Sequence, residues 1–155
     1  MQNLLITPDE AIELAFSPHD RIDPALLTDT RIEAAQLKFL APALGKLYAT
    51  LANGSYETFC REYIKPAAAY FVKYHIFLHL SVWIGNDGIV RLNPGGSTPA
   101  DSAEIGRLRR ESRETAYLLL SKAFTYLRNH SEDFPEIDPR NFKRKRLRMN
   151  GGIII

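Results

Sequence analysis

The run Pro66-Ala67-Ala68-Ala69-Tyr70-Phe71-Val72-Lys73-Tyr74-His75-Ile76-Phe77-Leu78-His79-Leu80-Ser81 decides the fold. Tyr70, Phe71, Val72, Tyr74, Ile76, Phe77, Leu78 and Leu80 cover every side of a helix. A helix that is apolar all round must be wrapped by other elements, so this one belongs in the middle of the domain. Lys73, His75 and His79 interrupt the apolar stretch from Ala67 to Ile84. It therefore reads as a buried helix and not as a membrane span.

Upstream of this centre the chain is punctuated by caps and breakers. Thr7-Pro8-Asp9-Glu10 is a capping box with proline at the first helical position, and it opens a short helix to about Phe16. Ser17-Pro18-His19-Asp20 ends it, and Asp23-Pro24 opens a short turn. A helix starts near Thr28 or Asp29, with apolar positions at Ile32, Ala35, Phe39, Leu40, Leu44, Leu47, Tyr48 and Leu51. Steps of three and four are a helix period. Pro42 removes a backbone donor and should kink or split this helix. Asn53-Gly54 supplies a left-handed stop. Ser55 is expected to cap the next helix, with Tyr56, Phe59, Tyr63 and Ile64 on one side, and Pro66 marks another break or helix start.

Downstream, Val82-Trp83-Ile84, the turn Gly85-Asn86-Asp87-Gly88 and Ile89-Val90-Arg91 read as a small β-hairpin. Leu92 to Ser97 is a loop. Thr98-Pro99-Ala100-Asp101 repeats the N-terminal signal, with Thr98 as cap and Asp101 at the third helical position. It opens the longest helix, to about Asn129, with a stripe of Ile105, Leu108, Ser112, Ala116, Leu119, Ala123 and Tyr126. The apolar face broadens in the second half, so the helix should start exposed and end buried. After Phe134-Pro135 the pattern stops.

These readings predict a mainly α fold. It is a helical bundle with a long C-terminal helix, a small β-hairpin and an extended basic C-terminal arm. The expected division is a helical domain over 1–138 and the arm over 139–155. A chain of 155 residues favours one core domain. At this length folding hides roughly 70% of the unfolded chain's surface, enough for a core without disulfides. The single cysteine, Cys60, excludes an intramolecular disulfide and a zinc site of clustered cysteines. Met1 to Ile6 carries no basic segment of the signal-peptide kind, so no signal peptide and no membrane partner are expected.

Charge is divided unevenly. Six of the 20 basic residues lie from Pro139 onward and none of the 18 acidic ones, which leaves 14 basic against 18 acidic before it. The body is thus at −4 and the arm at +6. Such a split marks an arm that meets something acidic, either nucleic acid or a negative protein surface. Lys143, Arg144, Lys145, Arg146 and Arg148 could meet phosphates. Alternatively, the arm, ending in the β-prone Ile153, Ile154 and Ile155, could add a strand to a neighbouring subunit. The plain reading is a solubilising tail.

A second basic cluster, Arg107, Arg109, Arg110 and Arg113, sits on the first half of the long helix. It reads either as a contact to phosphates or an acidic partner, or as a solvated face. Arg107–Glu111 and Arg110–Glu114 have the i,i+4 spacing of helix ion pairs, worth a few tenths of a kcal/mol each. Arg109 and Arg113 have no such partner. His75 and His79 share a helix face at a spacing that can chelate a metal, but two ligands do not make a site. They are expected to be structural, with no metal and no cofactor. Cys60, beside Phe59, reads as packing. No phosphate loop, G-x-G-x-x-G or G-x-S-x-G motif is present, so no enzymatic chemistry is expected.

The order and spacing of several segments resemble the head–tail connector (adaptor, head-completion) proteins of tailed phages and prophages. Those segments are Ile32-Glu33-Ala34-Ala35-Gln36, Leu44-Gly45-Lys46-Leu47-Tyr48 and Tyr63-Ile64-Lys65-Pro66-Ala67, then Ile84-Gly85-Asn86-Asp87-Gly88-Ile89 and Asn129-His130-Ser131-Glu132-Asp133-Phe134-Pro135-Glu136. The resemblance covers about Thr28 to Ile137. It implies a structural virion protein, made in the bacterial cytoplasm, forming a homo-oligomeric ring that is dodecameric to match the portal. Its partners would be the portal and tail proteins, with contact to passing DNA. The two basic clusters are then the candidates for ring, portal or DNA contact. The arm is more basic than the family pattern explains. The alternative is a DNA-binding helical protein using the basic C-terminal arm. That reading needs an exposed recognition helix, for which the 99–129 helix is too long.

Overall fold

The computed structural model describes residues 4–80, 82–85, 88–91 and 100–137, with the side chains of 78, 82–85 and 88–91 left aside. The basic arm, with Lys143, Arg144, Lys145, Arg146, Arg148 and Ile153 to Ile155, lies outside the described residues, as does Thr98. The chain is mainly helical: α1 (Pro8–Ala15), α2 (Asp29–Ala35), α3 (Ala41–Leu44), α4 (Lys46–Ala52), α5 (Glu57–Phe59), α6 (Lys65–Ile76) and α7 (Ser102–Asn129). Short 3-10 turns form at Pro24–Leu26, Phe77–His79 and Ser131–Asp133. Between α6 and α7, β1 (Val82–Gly85) pairs antiparallel with β2 (Gly88–Arg91), Val82 opposite Arg91 and Gly85 opposite Gly88. No helix among the described residues is long and apolar enough to cross a membrane.

The helix α6 is the axis of the domain. It packs against α1 and α7 most extensively and also against α2. Ala67, Ala68, Ala69, Phe71, Val72 and Ile76 are buried. Three successive alanines bring no bulk, so neighbouring helices can approach closely, and Phe71 then fills the space further along. The buried side of α7 is Ser112, Ala116, Leu120, Ala123 and Leu127, the face that meets α6. Its phase is one residue later than the expected stripe at Leu119 and Tyr126, which are partly buried. Leu108, placed on that stripe by sequence, is 43% exposed.

Two segments break the α geometry, and each ends two residues before a proline. Gln36–Leu40 and Cys60–Ile64 are π-helical turns. The Ala41 N–H donates to the Gln36 carbonyl and the Lys65 N–H to the Cys60 carbonyl, both five residues back. Pro42 and Pro66 follow. A proline inside a helix has no N–H to donate and its ring collides with the carbonyl four residues earlier. Widening the preceding turn by one residue moves that carbonyl aside, and the helix direction continues. The chain after Pro42 breaks fully only at Gly45, whose φ of 57° is open to glycine.

Local caps hold the elements. Thr7 and Glu10 form the expected capping box: the Glu10 N–H donates to Thr7 Oγ1 at 3.3 Å and the Thr7 N–H to Glu10 Oε2 at 2.9 Å. Thr28 caps α2. Two expected caps fall elsewhere. Asp101, not Thr98, is the cap of α7, and Glu104 closes its box, with the Glu104 N–H donating to Asp101 Oδ1 at 2.7 Å. A carboxylate with a glutamate three residues on competes well with threonine for this role. Before α5 the capping position is Tyr56, not Ser55, and Tyr56 has a left-handed φ of 55° with no side-chain cap. Tertiary contacts hold it there. Its ring lies 4.6 Å from that of Phe134, and its hydroxyl donates to Glu136 Oε2 at 3.2 Å.

Phe134 is buried and closes one end of the bundle in a ring cluster with Tyr56, Phe59 and Tyr126. A second cluster, Phe39, Phe71, Tyr74 and Tyr117, joins the π turn after α2 to α6 and α7. Cys60 is buried, and burial pushes its thiol up, away from the thiolate form, as a packing role requires.

Candidate anion-binding face

The first ten residues of α7, 102–111, contain no buried residue. At 1.5 Å per residue they form a stretch of about 15 Å that the core does not need. Gly106 lies within it, and a Cβ there would meet nothing within 4 Å. The four arginines flagged by sequence divide on this stretch. Arg107 and Arg110 are exposed. Arg109 and Arg113, one helical turn apart on a shared face, are half-buried against α6. Neither Arg107–Glu111 nor Arg110–Glu114 closes as an ion pair among the described residues. Such solvated pairs gain too little to hold long side chains in one geometry.

Arg109 and Arg113 converge on one ring. The Arg109 guanidinium carbon is 4.5 Å from the Tyr74 ring centroid and that of Arg113 is 6.0 Å from it. The negative face of the ring attracts both cations. Tyr74 is edge-on to Phe39 at 5.7 Å, and Phe39 stacks on Phe71 at 4.7 Å. Lys38 Nζ lies 5.4 Å from the Phe39 ring. Aromatic side chains thus tie cations of α7 to a cation of the π turn after α2. Arg31 joins them from α2 and is anchored by a hydrogen bond from Nη1 to the Leu26 carbonyl at 2.8 Å.

The electrostatics of His75 report this crowding. Burial depresses its basicity, and Lys38, His79, Arg109 and Arg31 each depress it further. Every one of these charges is a cation or a histidine. The Nε atoms of Arg109 and Arg113 are covered and have no hydrogen-bond partner. Covered donors normally find one. No carboxylate pairs with either arginine among the described residues. His75 and His79 are half-buried, and no group of three metal-ligating side chains occurs among the described residues. Beside the face, a cleft of about 150 Å³ runs between α6 and α7, lined by Tyr70, Lys73, Phe77, Leu108, Glu111, Ser112 and Thr115. Lys73 is already engaged there, donating to the Ala15 carbonyl at 2.8 Å.

Half of this face was visible in the sequence. The missing i+4 partners of Arg109 and Arg113 singled them out. Arg31, Lys38 and the organising ring of Tyr74 were missed, because only the packing of α2, α6 and α7 brings them together.

A family model described as a family of unknown function, DUF6712, matches residues 24–146. The chain belongs to the DUF6712 family. The matched region includes α2 to α7 and so every residue of the cationic face, while α1 and its capping box precede it. No curated protein and no solved structure matches this DUF6712 member.

Proposed function

We propose that this DUF6712 protein is a structural assembly protein without chemistry of its own, a ring adaptor between portal and tail of a tailed phage or prophage. Residues 102–111 carry this reading: a helix segment with no fully buried residue in its own subunit leaves surface to pack on another. Exposed apolar side chains at Leu37, Leu108 and Leu118, the last 67% exposed, add surface for such contacts. Leu37 lies on the π turn after α2 and the other two on α7, which suits a head-to-tail contact between unlike patches. Head-to-tail contacts close a ring when the rotation per subunit fits. The order of elements, resembling the connector proteins, supports the same reading.

On this reading the partners are further copies of the chain, the portal and the tail proteins, and the protein is a virion component assembled in the bacterial cytoplasm. The extended basic arm serves to lock neighbours after docking. Native mass at high protein concentration, with negative-stain images of the same sample, tests it. Closed rings are expected. A monomer that stays a monomer when mixed with a portal ring would overturn the proposal.

A further inference from the structure

We infer that the face formed by Arg109 and Arg113 on Tyr74, with Lys38 on the neighbouring Phe39 and Arg31 on α2, binds the phosphates of a nucleic-acid backbone. The site stands apart from the ring proposal: a monomer could carry it, and a ring could form without it.

The face is built and uncompensated. Arg109 and Arg113 are held by the Tyr74 ring at 4.5 and 6.0 Å, so their position is set before any ligand arrives. A guanidinium laid on a ring keeps its in-plane N–H groups for oxygen ligands. With both Nε atoms covered, the terminal amino groups are left to do the pairing. Paired with phosphate oxygens, they make charge-assisted hydrogen bonds, roughly twice as strong as neutral ones. Like charges gathered without a counter-charge repel one another, and an arriving anion removes that repulsion. His75 beside them has its basicity depressed first by burial and then by Lys38, His79, Arg109 and Arg31.

An extended polyanion fits better than one carboxylate. The cations come from separate elements: Arg31 and Lys38 from α2 and its π turn, Arg109 and Arg113 from α7. A single carboxylate would satisfy one guanidinium fork and leave the others as they are. A backbone of regularly repeated phosphates meets several together and releases its condensed counterions. Phosphate contacts carry no sequence information, so binding through this face should be insensitive to sequence.

The full chain should be titrated with a labelled duplex at several salt concentrations, so that the C-terminal arm contributes equally to every variant. R109Q/R113Q should weaken binding about tenfold at 100 mM salt and reduce the slope of log affinity on log salt by about two. R107Q/R110Q removes the same charge from the exposed side of the same helix and should leave most of the slope intact. If both double variants reduce the slope equally, binding is diffuse and the site is wrong. Lys38 is exposed, so K38Q carries little risk to folding and should lower the slope by about one. An unchanged slope for K38Q would also overturn the assignment. Poly-glutamate as competitor settles the class: if it displaces the duplex at equal charge concentration, the face takes an acidic protein and not a nucleic acid.

Discussion

Gln36 Oε1 accepts the Leu5 N–H at 2.8 Å across 31 residues of sequence. Gln36 is 1% exposed, and Leu5 and Ile6 are buried beside it. This one bond seats the segment before α1 in the core. Gln36 opens a π turn, so the same residue also lends its carbonyl to the Ala41 N–H. Replacing Gln36 by leucine keeps the volume and orphans a buried donor. A loss of about 1–3 kcal/mol in urea unfolding is expected. A loss below about 0.5 kcal/mol would show that the Leu5 N–H finds another partner.

Tyr56 offers a separation of strain from packing. Its φ of 55° suits glycine better than any other residue. Tyr56→Ala loses the ring contact with Phe134 and keeps a left-handed Cβ, so it should cost about 3–4 kcal/mol. Tyr56→Gly loses the same contact without the strain and should be about 1 kcal/mol more stable than the alanine variant. Tyr56→Phe removes only the hydroxyl bond to Glu136 and should cost about 1 kcal/mol or less. Equilibrium denaturation of the three variants gives the order.

Stability should fall on mild acidification because of His75. Its folded pKa lies below its ordinary value, so the unfolded chain binds the proton more readily. Above the unfolded value, near 6.5, histidine contributes no penalty; as pH falls through it, stability is lost until the folded value is passed. The groups acting on His75 are Lys38 and Arg31 from the α2 side, Arg109 from α7 and His79 from its own segment. His75→Gln should flatten the melting-temperature profile between about pH 7 and 5. Glu10 acts lower. Burial raises its carboxyl, but Lys65 and the Thr7 N–H outweigh burial and hold it below the ordinary range. Its contribution is present above the unfolded glutamate pKa and disappears as pH falls below it. A profile unchanged by His75→Gln would place the acid sensitivity elsewhere.

A chain ending at Asp138 should fold, because the buried residues of the described core end at Phe134. Circular dichroism should show the helical signal and a cooperative melt, and, on the ring proposal, closed rings should no longer form. An unfolded product would make the arm part of the domain.

Gly106→Ala should strengthen the start of α7. The position is open and helical, and alanine is favoured over glycine in a helix interior by up to about 1 kcal/mol. Hydrogen exchange at 102–111 reads the effect directly.

The first three helical starts could be read locally: Thr7 and Asp23 act as expected, and Thr28 caps the helix expected to begin there. The central place of α6 followed from its apolar surface. What escaped was register. Pro42 and Pro66 announced a disturbance, but the sequence does not say that it takes the form of one extra residue in the preceding turn. The left-handed Tyr56 was unreadable because its support, Phe134 and Glu136, comes from about 80 residues away. On the candidate face the same limit applied: local spacing exposed Arg109 and Arg113, while Arg31 and Lys38 needed three helices to meet.

The unburied opening of α7 places two different constraints on one continuous helix. From Ser112 to Leu127, substitution is policed by the protein's own interior. From Ser102 to Glu111 no side chain is buried, and inside the subunit the main restraints are the Glu104 cap and Arg109 on Tyr74. When DUF6712 sequences are compared, invariance among these residues at positions other than Glu104 and Arg109 will be a record of the partner, kept in a helix that could fold without it.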